Sequence, residues 1–124
     1  RVARLGGVHD FAGQMAAGYD LKLMDRGEGL SGGQRQAIAI SRALIGQPPI
    51  LLMDEPSSAM DVGSENALLS RLQEEVKDRT LILITHRASL LKLVDRVIVF
   101  DKGKIVAQGP KDDVLKAMAV GSAR

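Results

Sequence analysis

Two short apolar runs constrain the fold of this chain more than any other feature of its sequence. They are "ILLM" at 50–53 and "TLILIT" at 80–85, and both have the length and apolar character of buried strands. Residues 64–77 between them have the period of an amphipathic helix, with apolar positions at Leu68, Leu69, Leu72 and Val76. Strands that are apolar on both faces and alternate with helices are typical of a parallel sheet covered on both sides. The sequence therefore predicts an α/β fold.

The remaining segments fit this alternation. A helix is predicted to begin at Ser31 and to end before Gly46, with an apolar stripe at Ile38, Ala39, Ala43 and Leu44. A helix-like pattern over residues 2–18 is weakened by Gly6 and Gly7. The other predicted elements are a loop at 18–29, a short helix at 88–94, a hairpin of strands at 96–100 and 104–108, and a helix at 111–118.

Composition argues against several classes of function. A net charge of +2, with basic and acidic residues interspersed, and an aromatic content of 2% argue against nucleic acid as a partner. The absence of cysteine excludes disulfides, thiolate zinc sites and cysteine nucleophiles. No apolar run approaches the ~20 residues of a membrane span. The 124 residues suffice for one small domain, and because the chain begins with Arg1 we expect it to be a piece of a longer protein.

The start of the helix after Ser31 is a candidate binding site. Ser31 and Gln34 have the spacing of a capping box, in which each side chain binds the backbone N–H of the other residue. Gly32 and Gly33 carry no Cβ that would hold a ligand away from the free N–H groups, and the helix dipole favours an anion such as phosphate there. A capped helix start that binds no ligand is the alternative interpretation, and it is the favoured one for these residues taken alone.

Three further candidates follow the apolar strands. Asp54 and Glu55 end the first strand, where an aspartate can hold Mg²⁺ and a glutamate can deprotonate an attacking water. The same two charges could simply cap a sheet edge. His86 ends the second strand, and parallel pairing would bring it to the rim that carries the carboxylates. A structural histidine is the alternative interpretation.

Four motifs in one order resemble the nucleotide-binding domains of ABC transporters. "LSGGQRQ" at 30–36 resembles the signature motif of that family, "ILLMDEP" at 50–56 its Walker B strand, "SSAMD" at 57–61 its D-loop, and "ITHR" at 84–87 the segment with its switch histidine. The resemblance covers residues 5–118. It implies a P-loop NTPase-like parallel sheet flanked by helices, with ATP and Mg²⁺ as cofactors.

The resemblance also implies a role for each candidate residue. In this family two such domains sandwich two ATP molecules head to tail, so the signature of one subunit faces ATP held mainly by the other. Ser31, Gly32, Gly33 and Gln34 are then expected at the nucleotide of the partner domain. Asp54 is expected to hold Mg²⁺, Glu55 to act as general base, and His86 to contact the γ-phosphate. Asp61 is expected to couple the two sites.

One essential part of the family is absent from the sequence. No segment matches the P-loop G-x-x-x-x-G-K followed by Ser or Thr, and the Q-loop glutamine and the adenine-stacking aromatic are missing as well. We therefore expect a truncated domain without its P-loop strand: residues 1–47 as the end of the helical subdomain with the signature helix, and 48–124 as the rest of the catalytic core. Alone it is expected not to hydrolyse ATP. Without the missing strand, the runs at 80–85 and 96–100 must pair directly or leave an open edge that favours self-association.

Several functional classes within the family remain open. "LSGGQRQ" followed by "AIAISRAL" is typical of exporters, whereas DNA-repair and chromosome-organising members carry long coiled coils, and translation-associated members join two domains. A degenerate domain that binds without turnover is opposed by the presence of Glu55 and His86. Within the exporters the sequence most resembles bacterial type I protein secretion ATPases, with multidrug or lipid export as the alternative. "DEPSSAMD" departs from the common "DEATSALD" at Pro56, Ser57 and Met60. The family implies a transmembrane domain as partner, at the cytoplasmic face of the bacterial inner membrane.

Overall fold

The computed structural model describes residues 1–122, which form two compact units. The first unit, Arg1–His86, contains α1 (Val2–Gly6), α2 (Val8–Ala12), α3 (Gly32–Ala43), β1 (Ile50–Asp54), α4 (Val62–Glu75) and β2 (Thr80–Ile84), with single 3-10 turns at Gly18–Asp20 and Asp25–Gly27. The second begins at Arg87 and contains a 3-10 helix at Ala88–Leu93, β3 (Arg96–Asp101), β4 (Lys104–Pro110) and α5 (Lys111–Ser122). The predicted alternation of strands and helices is confirmed. None of the helices within residues 1–122 is both long and apolar enough to cross a membrane.

The four strands form two separate two-stranded sheets, one in each unit. β1 and β2 are parallel and in continuous register from Ile50 opposite Thr80 to Asp54 opposite Ile84, so both strands end at the same edge. β3 and β4 form the predicted antiparallel hairpin, with an irregularity between Val99 and Phe100. Within residues 1–122 the strand that pairs with β2 is β1, so the prediction of an open strand edge, the alternative to direct pairing of the runs at 80–85 and 96–100, holds.

One face of the β1–β2 sheet is exposed. Leu51 and Met53 point to the covered face and are buried. The opposite face carries large aliphatic side chains that are 51–67% exposed, namely Ile50, Leu52, Ile82 and Ile84. The prediction of cover on both faces is therefore met on one face only within residues 1–122. Both strands are apolar at successive positions, a pattern that is typical of strands buried on both faces of a sheet. Among the residues that the structure describes, only one of the two faces is covered.

The buried face of α3 differs from the predicted stripe. Its buried residues are Ala37, Ile40, Ser41 and Leu44, a spacing of three and four residues that follows one helix face. Of the predicted stripe only Leu44 is buried, while Ile38 is half-buried and Ala39 and Ala43 are exposed. Ser41 concealed the pattern, because a serine in the middle of a helix is normally assigned to the solvent side. In α4 the predicted residues Leu68, Leu69, Leu72 and Val76 are all buried.

The glycine pair near the start of the chain divides one predicted helix into two. Gly7 has φ 91°, a left-handed conformation that ends α1 and precedes α2. Gly6 lies against α3: a Cβ on Gly6 would be 2.1 Å from Ser41 Oγ and 2.9 Å from the carbonyl oxygen of Ala37. A glycine at position 6 is therefore required for the close packing of α1 on α3.

Candidate functional site

The start of α3 forms the predicted capping box. Ser31 is the N-cap residue, and its Oγ accepts a hydrogen bond of 3.1 Å from the backbone N–H of Gln34. In return, Gln34 Oε1 accepts a hydrogen bond of 2.9 Å from the backbone N–H of Ser31. The prediction of a capping box is confirmed. Both side chains are engaged in shaping the helix start, and the N–H groups of Gly32 and Gly33 lie in its first turn.

Gly32 and Gly33 also have a reason to be glycine that lies within this chain. A Cβ at Gly32 would be 2.9 Å from Cβ of Ala59, and a Cβ at Gly33 would be 3.1 Å from the carbonyl oxygen of Ala59. The start of α3 therefore packs directly against the segment 57–61. The absence of a Cβ at these two positions therefore permits the contact with Ala59, in addition to permitting the approach of a phosphate. Only the approach of a phosphate could be inferred from the sequence, because the contact with Ala59 joins residues that are 26 or more positions apart.

Asp61 is the N-cap residue of α4. Its carboxylate accepts hydrogen bonds from the backbone N–H of Ser64 at 2.9 Å and from the Ser64 hydroxyl at 2.8 Å. The backbone N–H of Ser64, followed by its hydroxyl, lowers the pKa of Asp61 below its ordinary value. Asp61 is therefore held in its ionised form by the helix that it caps.

The signature residues and Asp61 line a common cavity. Ser31, Gly33, Gln34 and Asp61 all contribute to a cavity of 290 Å³ between α3, α4 and the first two helices. An ion pair between Arg71 and Asp10, 2.8 Å apart, belongs to the same lining. The structure thus brings four of the eight predicted site residues to one surface.

Glu55 and His86 meet at the carboxyl edge of the β1–β2 sheet, as the parallel register predicted. Oε1 of Glu55 lies 2.6 Å from Nδ1 of the His86 ring and accepts a hydrogen bond of 3.0 Å from the backbone N–H of His86. The hydroxyl of Thr85 donates to the other carboxylate oxygen at 3.2 Å. Thr85 was not predicted as a site residue. Only its position before His86 at the end of the strand could have indicated it.

These contacts set the charge of Glu55 and the orientation of the histidine. The hydrogen bond from the His86 ring, reinforced by the backbone N–H of His86 and by the Thr85 hydroxyl, lowers the pKa of Glu55, while burial opposes the change. Since a carboxylate only accepts hydrogen bonds, Nδ1 is the nitrogen that carries the proton in this pair. The His86 side chain is 82% exposed, so its second ring nitrogen, Nε2, is available for a ligand.

The backbone at Glu55 is strained. Its φ of 44° lies in the left-handed region, which residues other than glycine adopt at a cost of ~1–3 kcal/mol. Its N–H donates to the carbonyl oxygen of Ile84 at 2.9 Å, so this conformation is anchored to the end of β2. Strain of this kind persists where the surroundings determine it and is common at functional sites.

Asp54 is the last residue of β1 and is exposed beside Glu55. Within residues 1–122 no cluster of three or more His, Cys, Asp or Glu side chains could hold a metal ion. Mg²⁺ does not need such a cluster, because it is commonly bound by one or two carboxylates together with substrate phosphates. An exposed carboxylate at this edge can therefore serve as one such ligand.

The predicted site residues fall into two groups. Asp54 and Glu55 line a second cavity of 190 Å³, together with Gln36, Leu52 and Met53, whereas the signature residues line the first. The structure does not bring the start of α3 into the cavity that carries the carboxylates. This separation fits a signature and a general base that act on two different nucleotides, as the resemblance implies.

Three further residues near the site were not predicted from the sequence. Gln36 hydrogen-bonds to the backbone of Glu55 and to the segment after it. Ser57 and Glu65 are both buried, and the Ser57 hydroxyl donates to the Glu65 carboxylate at 2.6 Å. A signal for Gln36 existed in the sequence, since it lies four and eight positions before Ile40 and Leu44 and shares their helix face.

Comparison with known proteins gives consistent matches in sequence. A family model described as "ABC transporter" matches residues 7–58. The chain is 46% identical over 114 residues to the leukotoxin export ATP-binding protein LtxB of Aggregatibacter actinomycetemcomitans, covering 92% of this chain and 16% of that protein. It is 48% identical over 113 residues to the alpha-hemolysin translocation ATP-binding protein HlyB of Escherichia coli, covering 91% of this chain and 16% of that protein. The chain thus spans 16% of the length of either relative.

Comparison with solved structures leads to the same group of proteins. The fold matches that of a bacterial Atm1-family ABC exporter with ATP bound, with a TM-score of 0.85 and 35% sequence identity. The match covers 99% of this chain and 23% of the exporter chain. Since four ordered motifs, the related sequences and the fold agree, we conclude that this chain belongs to the ABC transporter family.

Proposed function

We propose that this chain is the part of an ABC exporter ATPase that supplies the general base, the Mg²⁺ ligand and the signature motif for ATP hydrolysis. The observation that carries the proposal is the contact between Glu55 and His86 at the carboxyl edge of two parallel strands. Ligands of α/β sheets bind at this edge. The ionised carboxylate provides there an acceptor for a water proton, and Nε2 of the exposed imidazole beside it is the ring nitrogen that a phosphate oxygen can approach.

The reaction is the transfer of the γ-phosphoryl group of ATP to water. Glu55 takes a proton from the attacking water while the water oxygen forms a bond to the γ-phosphorus. At the same time the bond between the γ-phosphorus and the bridging β-phosphate oxygen breaks, and ADP leaves. Nε2 of His86 contacts the γ-phosphate and donates a hydrogen bond to it when the ring carries a proton on both nitrogens, because Nδ1 donates to Glu55. Catalysis of this kind depends mainly on positioning and charge stabilisation. The strained, doubly anchored backbone of Glu55 provides such positioning.

Asp54 is the residue that would hold Mg²⁺. When bound, the ion neutralises charge on the phosphate oxygens. Asp54 fits this role because it is an exposed carboxylate next to Glu55 at the strand end. Its own contribution is to fix one ligand position on the rigid end of β1.

The signature residues act on a second nucleotide in a head-to-tail dimer of nucleotide-binding domains. Ser31, the N–H groups of Gly32 and Gly33, and Gln34 are proposed to clasp the γ-phosphate of the ATP that the partner domain holds. Their separation from the cavity of Glu55 supports this division. Asp61, at the cavity of the signature, is proposed to couple the two sites. Because the sequence lacks a P-loop, the chain alone is proposed to be inactive.

The transport process is proposed to be type I secretion of a protein. The relatives named above are described as ATP-binding proteins for leukotoxin export and alpha-hemolysin translocation. The complete protein would then act with a transmembrane domain at the cytoplasmic face of the bacterial inner membrane. Multidrug or lipid export is the second candidate, since the matching solved structure is an ABC exporter of the Atm1 family and not one of the named toxin exporters.

The test is MgATP hydrolysis by a chain extended upstream by about 100 residues, the length of a small domain. Hydrolysis should rise faster than linearly with protein concentration and should collapse in Glu55→Gln. Glu74→Gln is the matched control, because the Glu74 side chain is 74% exposed on α4 and forms an ion pair with Lys77. Turnover that is indifferent to Glu55→Gln would place the base elsewhere. ATP binding without turnover in every variant would contradict the enzymatic role.

A further inference from the structure

We infer that Gln36 is a positioning residue that ties the signature helix α3 to the general base Glu55 and to the D-loop segment. The inference rests on the proposed function, since it assigns Gln36 a part in the same hydrolysis. Gln36 follows the helix start by four residues and is only partly buried. It is not expected to contact ATP or the attacking water.

The amide of Gln36 uses both of its ends. Nε2 donates to the carbonyl oxygen of Glu55 at 3.2 Å and to Oγ of Ser58 at 2.8 Å, while Oε1 accepts from the backbone N–H of Ala59 at 2.9 Å. The carbonyl of Glu55 can only accept and the N–H of Ala59 can only donate, so the partners fix the orientation of the amide. No other side-chain type of similar length provides this combination of a donor and an acceptor.

The bond to Glu55 acts on a strained residue. The left-handed backbone of Glu55 needs surroundings that determine it. Its N–H is held by the carbonyl oxygen of Ile84 in β2, and its own carbonyl oxygen is held by Gln36 in α3. The direction in which the Glu55 side chain leaves the backbone is therefore set from two elements, one strand and one helix.

The segment after Glu55 is held on its other side by α4. Ser57 is fully buried and donates its hydroxyl to the buried carboxylate of Glu65, at 2.6 Å. Residues 55–59 therefore lie between Gln36 of α3 and Glu65 of α4. A movement of this segment requires that one of these two side chains move with it or lose its hydrogen bond.

This arrangement connects the two groups of the site. The start of α3 carries the signature, which faces one nucleotide, and Glu55 acts on the other. A displacement of α3 on nucleotide binding moves Gln36, and with it the peptide groups of Glu55 and Ala59. Gln36 thus makes the position of the base depend on the state of the signature helix.

The experiment uses the full-length protein that contains this chain and compares Gln36→Met with Gln73→Met. Methionine keeps the length of glutamine and removes its hydrogen bonds, and Gln73 is an exposed residue of α4 that provides a matched control. Because small misplacements of a catalytic group can lower rates about 100-fold, we expect kcat for ATP to fall by about 10- to 100-fold in Gln36→Met. KM is expected to stay within about threefold, because a positioning residue that acts through Glu55 affects the chemical step and not the binding of ATP. Gln73→Met should retain the parental kcat and KM.

Two further measurements separate positioning from a general loss of structure. Hydrogen exchange of the Ala59 amide should become at least about tenfold faster in Gln36→Met, since that N–H loses its acceptor. Combined with Glu55→Gln, Gln36→Met should lower the residual rate no further, because its effect passes through Glu55. Should Gln36→Met prove unstable, Gln36→Glu keeps the acceptor for Ala59 and loses the donor to Glu55, and it should show the same loss of kcat.

The outcomes distinguish this inference from the proposed function. A parental protein without Glu55-dependent hydrolysis would refute the proposed function, and the exchange of the Ala59 amide would still report on the bridge. Glu55-dependent hydrolysis that is unchanged in Gln36→Met would refute only the role of Gln36. The role of Gln36 would also be refuted if the double variant lost kcat by the product of the two single losses, because Gln36 would then act independently of Glu55.

Discussion

Replacing Gly6 by alanine sets two effects of opposite sign against each other. Inside a helix, alanine is favoured over glycine by ~0.8–1.0 kcal/mol, and this is an upper limit for the last residue of α1. A Cβ at Gly6 would lie 2.1 Å from Ser41 Oγ, 2.8 Å from Ser41 N and 2.9 Å from the carbonyl oxygen of Ala37. The last two atoms belong to the backbone of α3 and cannot yield without a shift of the helix. Overpacking costs about 1–3 kcal/mol, so we expect a net destabilisation of ~1–2 kcal/mol.

The assay is urea unfolding followed by circular dichroism, with the free energy of unfolding compared between variants. Gly121→Ala is the matched control, because among residues 1–122 no atom other than those of the chain neighbours and the backbone of α5 lies within 4 Å of a Cβ at that position. The stability of this variant should rise by up to ~1 kcal/mol. Adding Ser41→Ala to Gly6→Ala removes the shortest contact and leaves the two backbone contacts, so it should restore only part of the loss. A Gly6→Ala variant that is more stable than the parent would refute the close packing of α1 on α3.

Three further predictions concern the helix cap, the carboxylate and the open sheet. Ser31→Ala should lower the free energy of unfolding by about 1 kcal/mol, measured in urea, whereas Ser31→Thr should keep most of it. Because the folded pKa of Glu55 is lowered, its contribution to stability is present above the ordinary value of about 4.3 and is lost as pH falls below it. Glu55→Gln should therefore reduce the loss of stability in acid titration, and an unchanged profile would contradict this. The 124-residue chain should self-associate through an open edge of the β1–β2 sheet, and a concentration-independent monomer mass in sedimentation would contradict this.

The strands, the helix α4 and the rim that joins Glu55 to His86 could be predicted from the sequence because each depends on local pattern and on one topological rule. Parallel strands end at one edge, so the residues after them meet. The buried face of α3 could not be predicted in the same way. Its stripe includes Ser41, and what makes Ser41 an interior residue is the contact with Gly6, which lies 35 positions earlier.

The same limit applies to the signature glycines and to Gln36. A free backbone at a helix start indicates an anion site from first principles, but the contact of Gly32 and Gly33 with Ala59 appears only when α3 and the segment 57–61 are placed together. Gln36 was part of the "LSGGQRQ" motif, yet its partners lie 19 to 23 positions away. The identity of the motif was therefore evident from the sequence, whereas its mechanical connection to Glu55 required the structure.

Side chains along the β1–β2 sheet alternate between a covered and an exposed face, so the exposed face can be redesigned without changing the covered one. Leu52 and Ile82 are directly opposite in the parallel register, and both point away from the buried Leu51 and Met53. A glutamate at 52 and a lysine at 82 would face each other across the strands without entering the hydrophobic core. Such a pair offers a way to obtain this chain in more soluble form, and because Leu52 also lines the cavity of Asp54 and Glu55, it would add a charge at that cavity.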